Sequence, residues 1–344
     1  MASNSTDPEK RRKVPSWIRT VISILAVLVA GGWTILVVLY APILSDRLRI
    51  PAASGIGVLM LLSIIGVFRR RLRPVVAVLA LAVALASLSW ARVTPSHAGD
   101  WPAEVSRLVQ ASIDGDRVTI TNVRNFEWHG TDQFVERWEV RAYSLSSLNR
   151  LDLIASYWAG PNIAHLLLSF GFDTGDQVVA SIEIRRRSDQ EYSTLKGAFR
   201  NFEIIYILGD ERDLLRLRTT FRKEQVYLFR LRTPPEVVRR LFLEYLRTIN
   251  DVAEHPRFYN TLTTNCTTQI RVAGLAAGAV IPWNWRLLLT GHVPDYLYSR
   301  GSVDTRLPFP ELFRRSQINE AADRADDSDS FSAAIRETVP DPLR

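Results

Sequence analysis

The chain has 344 residues, of which 47% are hydrophobic and 23% are charged, and this length leaves room for one ordinary domain plus a sizeable additional region. Its formal net charge of +7 at pH 7 would suit nucleic acid, but no aromatic-plus-basic binding motif accompanies the basic residues, so we expect no nucleic-acid partner. The single cysteine cannot form an intramolecular disulfide. It is therefore either an unreactive residue buried in the core or a free thiol with a chemical role.

Three long apolar runs occupy the first part of the chain. Val21–Leu44 is long enough to cross a hydrocarbon layer of about 30 Å as a helix, and Pro51–Phe68 and Pro74–Trp90 are near the lower limit. The basic clusters Lys10–Lys13 and Arg69–Arg73 can both be cytoplasmic only if three helices cross the membrane. The pattern therefore predicts a multi-pass membrane protein with a cytoplasmic N-terminus, an outside loop at residues 45–50 and a main domain outside the cytoplasm.

The rest of the chain alternates strand-like and helix-like segments, which predicts an α+β domain. Trp101–Ser112 has the pattern of a small amphipathic helix, and Pro234-Pro235 opens a longer one that continues through Ile249. Asp173–Asp176 is a hairpin turn signal, so the strands on either side should pair antiparallel. The segments predicted as strands are Arg117–Val123, Phe134–Tyr143, Asp152–Tyr157, Ile163–Phe172, Val178–Arg187, Phe202–Leu208 and Val226–Leu231.

The predicted organisation has five parts, and the last is acidic and Ser-rich. They are a cytoplasmic tail (1–16), three transmembrane helices (17–92), a linker with a short helix (93–116), an extracytoplasmic domain (117–310) and a disordered tail (311–344).

Cys266 is the candidate nucleophile. It follows a polar loop and is predicted to open a helix that ends near Gly278. At a helix start the unpaired backbone N–H groups and the helix dipole favour the thiolate, and the same N–H groups could donate to an oxyanion during acyl transfer. The alternative is a small buried cysteine that fills the core.

His165 is the candidate base, because it lies inside an apolar strand where an imidazole needs a polar partner. A catalytic imidazole is usually oriented by a third group, and Ser181 and Glu183 share one face of the next strand. Glu183 is our candidate for the orienting role. The alternatives are a core histidine with satisfied hydrogen bonds and a surface glutamate paired with a neighbouring arginine.

Metal and cofactor motifs are missing from the sequence. No His, Cys and carboxylate set has ligand spacing, and there is neither a Gly-rich phosphate loop nor a Gly-x-Ser-x-Gly elbow. We therefore expect no metal and no cofactor.

Four stretches of the chain resemble the Lnb N-terminal periplasmic domain family of bacteria, over roughly residues 118–280. The stretches are Thr121–Phe126, His165–Phe170, Ser181–Arg186 and Phe258–Thr268. The order of histidine, polar residue and helix-borne cysteine is also similar to that of permuted papain-like enzymes of the lecithin:retinol acyltransferase type. This resemblance implies a permuted papain-like fold with an antiparallel sheet packed against helices. Within these stretches, the candidates for binding substrate or an oxyanion are Asn265, Tyr259, Arg124 and Ser181.

The resemblance implies acyl transfer through a cysteine thioester, so the first hypothesis is a membrane-anchored thiol acyltransferase or acyl hydrolase whose partner is a membrane lipid or lipoprotein. The apolar segment Trp283–Leu297 also favours a lipid substrate. Two alternatives remain open: a papain-like amidase that cuts cell-wall peptide, and a non-catalytic binding module tethered to the membrane.

Overall fold

The computed structural model describes residues 15–69, 73–326, 328 and 330–343. The chain divides into two compact units. The helical unit reaches Thr94 and includes Phe199–Asn201, whereas the sheet unit comprises Pro95–Ala198 and the chain from Phe202 onwards.

Three helices form the helical unit, with bounds Ser16–Tyr40 (α1), Asp46–Phe68 (α2) and Arg73–Ala91 (α3). Each contains a stretch that is long and apolar enough to cross a membrane, which confirms the three predicted spans. They pack through side chains such as Val38, Ile56 and Leu79. Much of the remaining apolar surface faces outward, for example Val29 and Leu61. Such a surface suits lipid tails, and the chain is a membrane protein.

The connection between α1 and α2 is shorter than predicted. Residues 46–50 were expected in an outside loop, but α2 already begins at Asp46. Asp46 interacts favourably with the helix dipole and pairs with Arg49 at 2.9 Å, so the first turn is stabilised before Pro51 is reached. Of the two predicted basic clusters, Lys10–Lys13 and the central residues of Arg69–Arg73 lie outside the described residues.

A mixed sheet of eight strands organises the sheet unit. Along the sheet the strand order is β1-β2-β9-β8-β7-β6-β10, and β5 also pairs with β2. The strand pairings are antiparallel, as the predicted antiparallel sheet implies, apart from a short parallel contact between β2 and β9 at Arg124 and Gly209. A separate hairpin joins β3 to β4. The strands are Gln110–Asp114 (β1), Arg117–Arg124 (β2), Glu127–Trp128 (β3), Phe134–Val135 (β4), Trp138–Ser144 (β5), Leu148–Tyr157 (β6), Ala164–Phe172 (β7), Gln177–Arg185 (β8), Glu203–Gly209 (β9) and Gln225–Arg230 (β10).

Helices cover both faces of this sheet, so the unit is α+β, as predicted. On the face that we call the thiol face, residues such as Leu166 and Ile182 pack with Phe242 and with Cys266. On the opposite face, Leu167 and Val179 pack with short helices from later in the chain. The helices are Thr194–Ala198 (α4), Glu211–Arg216 (α5), Pro235–Glu254 (α6), Cys266–Ala276 (α7), Val293–Ser299 (α8), Phe309–Arg315 (α9), Asn319–Ala325 (α10) and Phe331–Ala334 (α11).

The predicted helix at Trp101–Ser112 is wrong. Only Ala103–Val105 forms a short 3₁₀ turn, and the chain from Gln110 is strand β1. The reason is the turn at Asp114–Asp116, where Gly115 has φ +57° and folds β1 back onto β2 as a hairpin. Pairing in the sheet thus overrides the local amphipathic pattern.

The predicted disordered tail over 311–344 is wrong for the residues that the structure describes there, which include three short helices. Phe331 is buried on the opposite face of the sheet. Arg336 donates to Glu211 at 2.5 Å and to Asp152 at 2.9 Å, and both carboxylates are almost fully buried. These partners lie far away in the sequence, so the acidic and Ser-rich composition gave no sign of them.

Candidate functional site

A capped helix start holds Cys266 in place. Asn265 accepts a hydrogen bond from the Thr268 N–H at 3.0 Å, and its own N–H donates to the Thr268 hydroxyl at 2.9 Å, which forms a capping box. The Asn265 amide nitrogen also donates to the carbonyl of Thr261 at 2.7 Å. Helix α7 therefore begins at Cys266, as predicted. The side-chain oxygen of Asn265 is engaged by the cap, and its amide nitrogen is engaged by the Thr261 carbonyl.

Replacing Asn265 with alanine is expected to lower the stability of the sheet unit by about 1 kcal/mol, because a helix loses its N-cap acceptor. Asn265→Asp retains the acceptor and should cost less. Thermal unfolding of the full-length protein in detergent checks the order of the two variants. Equal losses would show that the contact with the Thr261 carbonyl matters and that the cap does not.

The β7–β8 ladder ends just where Cys266 approaches the sheet. Its last pair is Leu167 with Ser181, although β7 continues back to Ala164 and β8 continues to Arg185. Beyond that pair, the N–H of Leu166 donates a hydrogen bond to the Cys266 thiol. The end of the ladder therefore supplies a backbone donor that a continuous ladder would have used.

His165 lies at this gap and is held by polar side chains of β8. Its Nε2 is 2.8 Å from the Ser181 hydroxyl and 3.1 Å from Glu183 Oε1, and the Ser181 hydroxyl donates to the same carboxylate oxygen at 2.6 Å. The His165 ring also hydrogen-bonds the Cys266 thiol. Since Nε2 faces Ser181 and Glu183, we infer that Nδ1 is the ring nitrogen that faces the sulfur. The predicted Cys266, His165, Glu183 and Ser181 thus form one cluster.

The electrostatics of the cluster favour the thiolate and the imidazolium. Burial alone would raise the pKa of Cys266, but the hydrogen bond and charge of His165 lower it below its ordinary value, together with the Leu166 N–H and the Thr267 hydroxyl. Burial alone would lower the pKa of His165, but the Glu183 carboxylate and the Cys266 thiol raise it to about 10. A thiolate beside an imidazolium is the nucleophilic form of cysteine.

Comparison with known proteins identifies the domain that carries this cluster. Residues 134–291 match the family model described as the Lnb N-terminal periplasmic domain. This region belongs to the Lnb N-terminal periplasmic domain family. The resemblance seen in the sequence is confirmed, and the chain is a membrane protein with an Lnb periplasmic domain.

A search of curated proteins and a search of solved structures each find no significant match. The permuted papain-like fold therefore stays a prediction, as does any particular reaction of the Lnb domain.

Arg218 is a member of the cluster that the sequence analysis missed. Its guanidinium donates to Glu183 Oε1 at 2.8 Å, and the side chain is almost fully buried. Burial opposes ionisation of Glu183, but His165, Arg218 and Ser181 hold its pKa well below the ordinary value. Arg218 follows α5 in a turn of π-helix, far from Glu183 in sequence, so only the three-dimensional structure reveals the contact.

Tyr259 lies close enough to Cys266 for the thiol to affect the pKa of the tyrosine hydroxyl. Burial first, and then the proximity of Cys266, Tyr192 and Glu183, raise the pKa of Tyr259. Its hydroxyl is therefore protonated at neutral pH and can act as a donor.

Arg124, another predicted substrate residue, is engaged elsewhere. Its guanidinium makes two hydrogen bonds to Asp213, at 2.8 and 3.0 Å, and the same carboxylate accepts from the Trp128 indole at 2.7 Å. Arg124 and Asp213 are both buried. The structure therefore places Arg124 in a buried ion pair of the sheet unit.

Proposed function

We propose that the Lnb domain is a thiol acyltransferase or acyl hydrolase that takes an acyl group from a membrane lipid or lipoprotein as a thioester on Cys266. The observation that carries this proposal is the arrangement of three groups at the end of the β7–β8 ladder. A thiol at a helix start is hydrogen-bonded to the His165 imidazole, which is in turn held by the Glu183 carboxylate. Nucleophile, base and orienting group in this order are what acyl transfer through cysteine requires.

The first half of the reaction transfers the acyl group to sulfur. The Cys266 thiolate attacks the carbonyl carbon of an ester, and the carbonyl oxygen takes up the negative charge. The C–O bond to the alcohol then breaks, and the His165 imidazolium gives its proton to the leaving alkoxide. The products are a thioester on Cys266, a free alcohol and a neutral imidazole.

The second half releases the acyl group. An amine, an alcohol or water gives a proton to His165 as it attacks the thioester carbon, and the C–S bond breaks to restore the thiolate and the imidazolium. An amine or alcohol makes the domain a transferase, and water makes it a hydrolase.

Three groups are candidate donors to the oxyanion. The cap takes the N–H of Thr268, which leaves the N–H groups of Cys266 and Thr267 in the first turn of α7 as candidate donors. The Tyr259 hydroxyl is a third candidate. Because Asn265 is committed to the cap, we do not assign its amide to the oxyanion.

The reaction is proposed to take place at the outer face of the bacterial inner membrane, with the N-terminus in the cytoplasm. Reporter fusions after Ser45 and after Ser96 should then read as outside, and a fusion within Arg69–Arg73 as cytoplasmic. A cytoplasmic signal after Ser96 would overturn this orientation.

Formation of the thioester is the direct test. Full-length protein in detergent is mixed with a phospholipid that carries alkyne-tagged acyl chains, or with a diacylated lipopeptide, and its peptides are analysed by mass spectrometry. The expected result is an acyl adduct on the Cys266 peptide that hydroxylamine removes and that Cys266→Ala lacks. If neither donor gives an adduct, the proposal is contradicted, and a non-catalytic binding module is favoured instead.

A further inference from the structure

A cavity of about 520 Å³ lies at the end of the sheet where His165 is found. Aromatic side chains form much of its wall, since Tyr157, Tyr227 and Phe313 line it together with Trp158 and Phe309. The rings of Tyr227 and Phe313 stack with centroids 4.1 Å apart, and the Tyr157 ring meets Tyr227 edge-on at 5.4 Å. A wall of packed aromatic rings around a space of this size is typical of a pocket for an apolar ligand.

The position of the cavity relates it to the thiol. Tyr157 is paired with Ala164, and Leu166, whose N–H reaches the Cys266 sulfur, lies two residues further along the same strand. One strand spacing and two residues along a strand separate Tyr157 from Leu166 by about 8 Å. Tyr157, Tyr227 and Cys266 also belong to the same hydrophobic cluster on the thiol face.

Tyr259, Tyr192 and Trp158 relate the cysteine to the mouth of the cavity. Tyr259 is near enough to both Cys266 and Tyr192 for each to raise its pKa, after burial. The ring of Tyr192 contacts that of Trp158 edge-on at 6.1 Å, and Trp158 lines the cavity. Tyr192 and Trp158 are about half exposed, at 47% and 52%, so this route is open to a ligand from the surface.

The charges at the rim favour a neutral chain over a charged group. No lysine or arginine lines the cavity among the residues that the structure describes. The one carboxylate there, Asp295, is paired with Arg286 at 2.9 Å. An anionic headgroup would therefore meet no lysine or arginine there, and an amine would find the carboxylate already paired.

We propose that this cavity holds the alkyl chain of the acyl group while its carbonyl is bound at Cys266. The inference rests on the proposed function, because it names the place of the substrate chain at the same site. The cavity then selects donors with a long apolar chain, since burial of each further methylene strengthens binding.

A chain-length comparison tests this inference on the full-length protein in detergent. Acylation of Cys266 is measured by intact mass with p-nitrophenyl acetate and p-nitrophenyl octanoate. Wild type should prefer the octanoyl ester. Gln225→Trp places a large ring at the cavity wall and should lower the octanoyl-to-acetyl rate ratio by about tenfold. Gln110→Trp, the same change at the exposed start of β1, is the matched control and should leave the ratio unchanged.

The outcomes separate the two proposals. An unchanged ratio in Gln225→Trp, with both adducts formed, overturns the cavity assignment and leaves the thioester chemistry in place. If neither ester acylates Cys266 in wild type, the proposed function fails and this inference fails with it. Should Gln225→Trp lose both reactions through misfolding, Trp158→Ala decides: it removes part of the mouth and should lower the ratio, and an unchanged ratio overturns the assignment.

Discussion

Replacing His165 with alanine is expected to slow acylation of Cys266 by about 10²- to 10⁴-fold, the range that a positioned acid–base group contributes. The imidazole both lowers the pKa of the Cys266 thiol and carries the proton of the leaving group. The measurement is the initial rate of Cys266 acylation with p-nitrophenyl acetate, followed by intact mass. Glu183→Gln should have a smaller effect, because Glu183 orients and charges the imidazole without taking the proton.

The control for this prediction is His129→Ala, since His129 is exposed and no role is assigned to it. Circular dichroism confirms that each variant is folded. Equal acylation rates for wild type and His165→Ala would remove the catalytic role of His165.

Replacing Arg336 with methionine is expected to destabilise the sheet unit by about 3–5 kcal/mol, the usual cost of removing one partner from a buried ion pair. Glu211 is fully buried and would keep only its hydrogen bond from Ser169, at 2.5 Å, among the partners described here. Asp152 would retain Arg230. The expected fall in thermal midpoint is roughly 10 °C for a unit of this size.

Arg315→Met is the matched control. It removes an arginine from the same C-terminal region, and its pair with Glu311 at 2.6 Å is on the surface. Exposed pairs are screened by water and contribute little, so the thermal midpoint should barely change. A similar small change for Arg336→Met would mean that the C-terminal segment is not anchored by this ion pair.

Local sequence patterns were sufficient for the helical unit and for the start of α7. The three spans follow from uninterrupted apolar runs, because a helix of that length and composition has few other stable environments. The polar loop before Cys266 predicted the helix start, and in the structure Asn265 is its N-cap. The alternation of β8 placed Ser181 and Glu183 on one face, and both face His165 in the structure.

The missed features depend on partners that are distant in sequence. Arg218 reaches Glu183 from 35 positions away, and Arg336 reaches Glu211 from 125. Arg124 was a candidate for substrate binding because of its local motif, but Asp213, 89 positions later, accepts hydrogen bonds from its Nε and Nη2. The local sequence around an arginine does not show whether its side chain is exposed or is buried in an ion pair. Sequence patterns alone could therefore not distinguish these cases.

The pH dependence of Cys266 alkylation is a direct test of the proposed thiolate–imidazolium pair. The labelling signal has a single source, because the chain has one cysteine. The thiolate is present above the pKa of Cys266 and is lost as the pH falls through it. The midpoint of iodoacetamide labelling of the full-length protein should therefore lie below the value of about 8.5 for a free thiol. The ion pair then persists until His165 loses its proton near pH 10.

His165→Ala should move the labelling curve to higher pH, because the hydrogen bond and charge of His165 that lower the pKa of Cys266 are lost while its burial still raises that pKa. The midpoints belong to the coupled pair and not to either residue, so the comparison of the two curves is the decisive quantity. The expected result is a wild-type midpoint below that of a free thiol, with an upward shift in His165→Ala. Superimposable curves, or a wild-type thiol that stays unreactive up to pH 9, would contradict it.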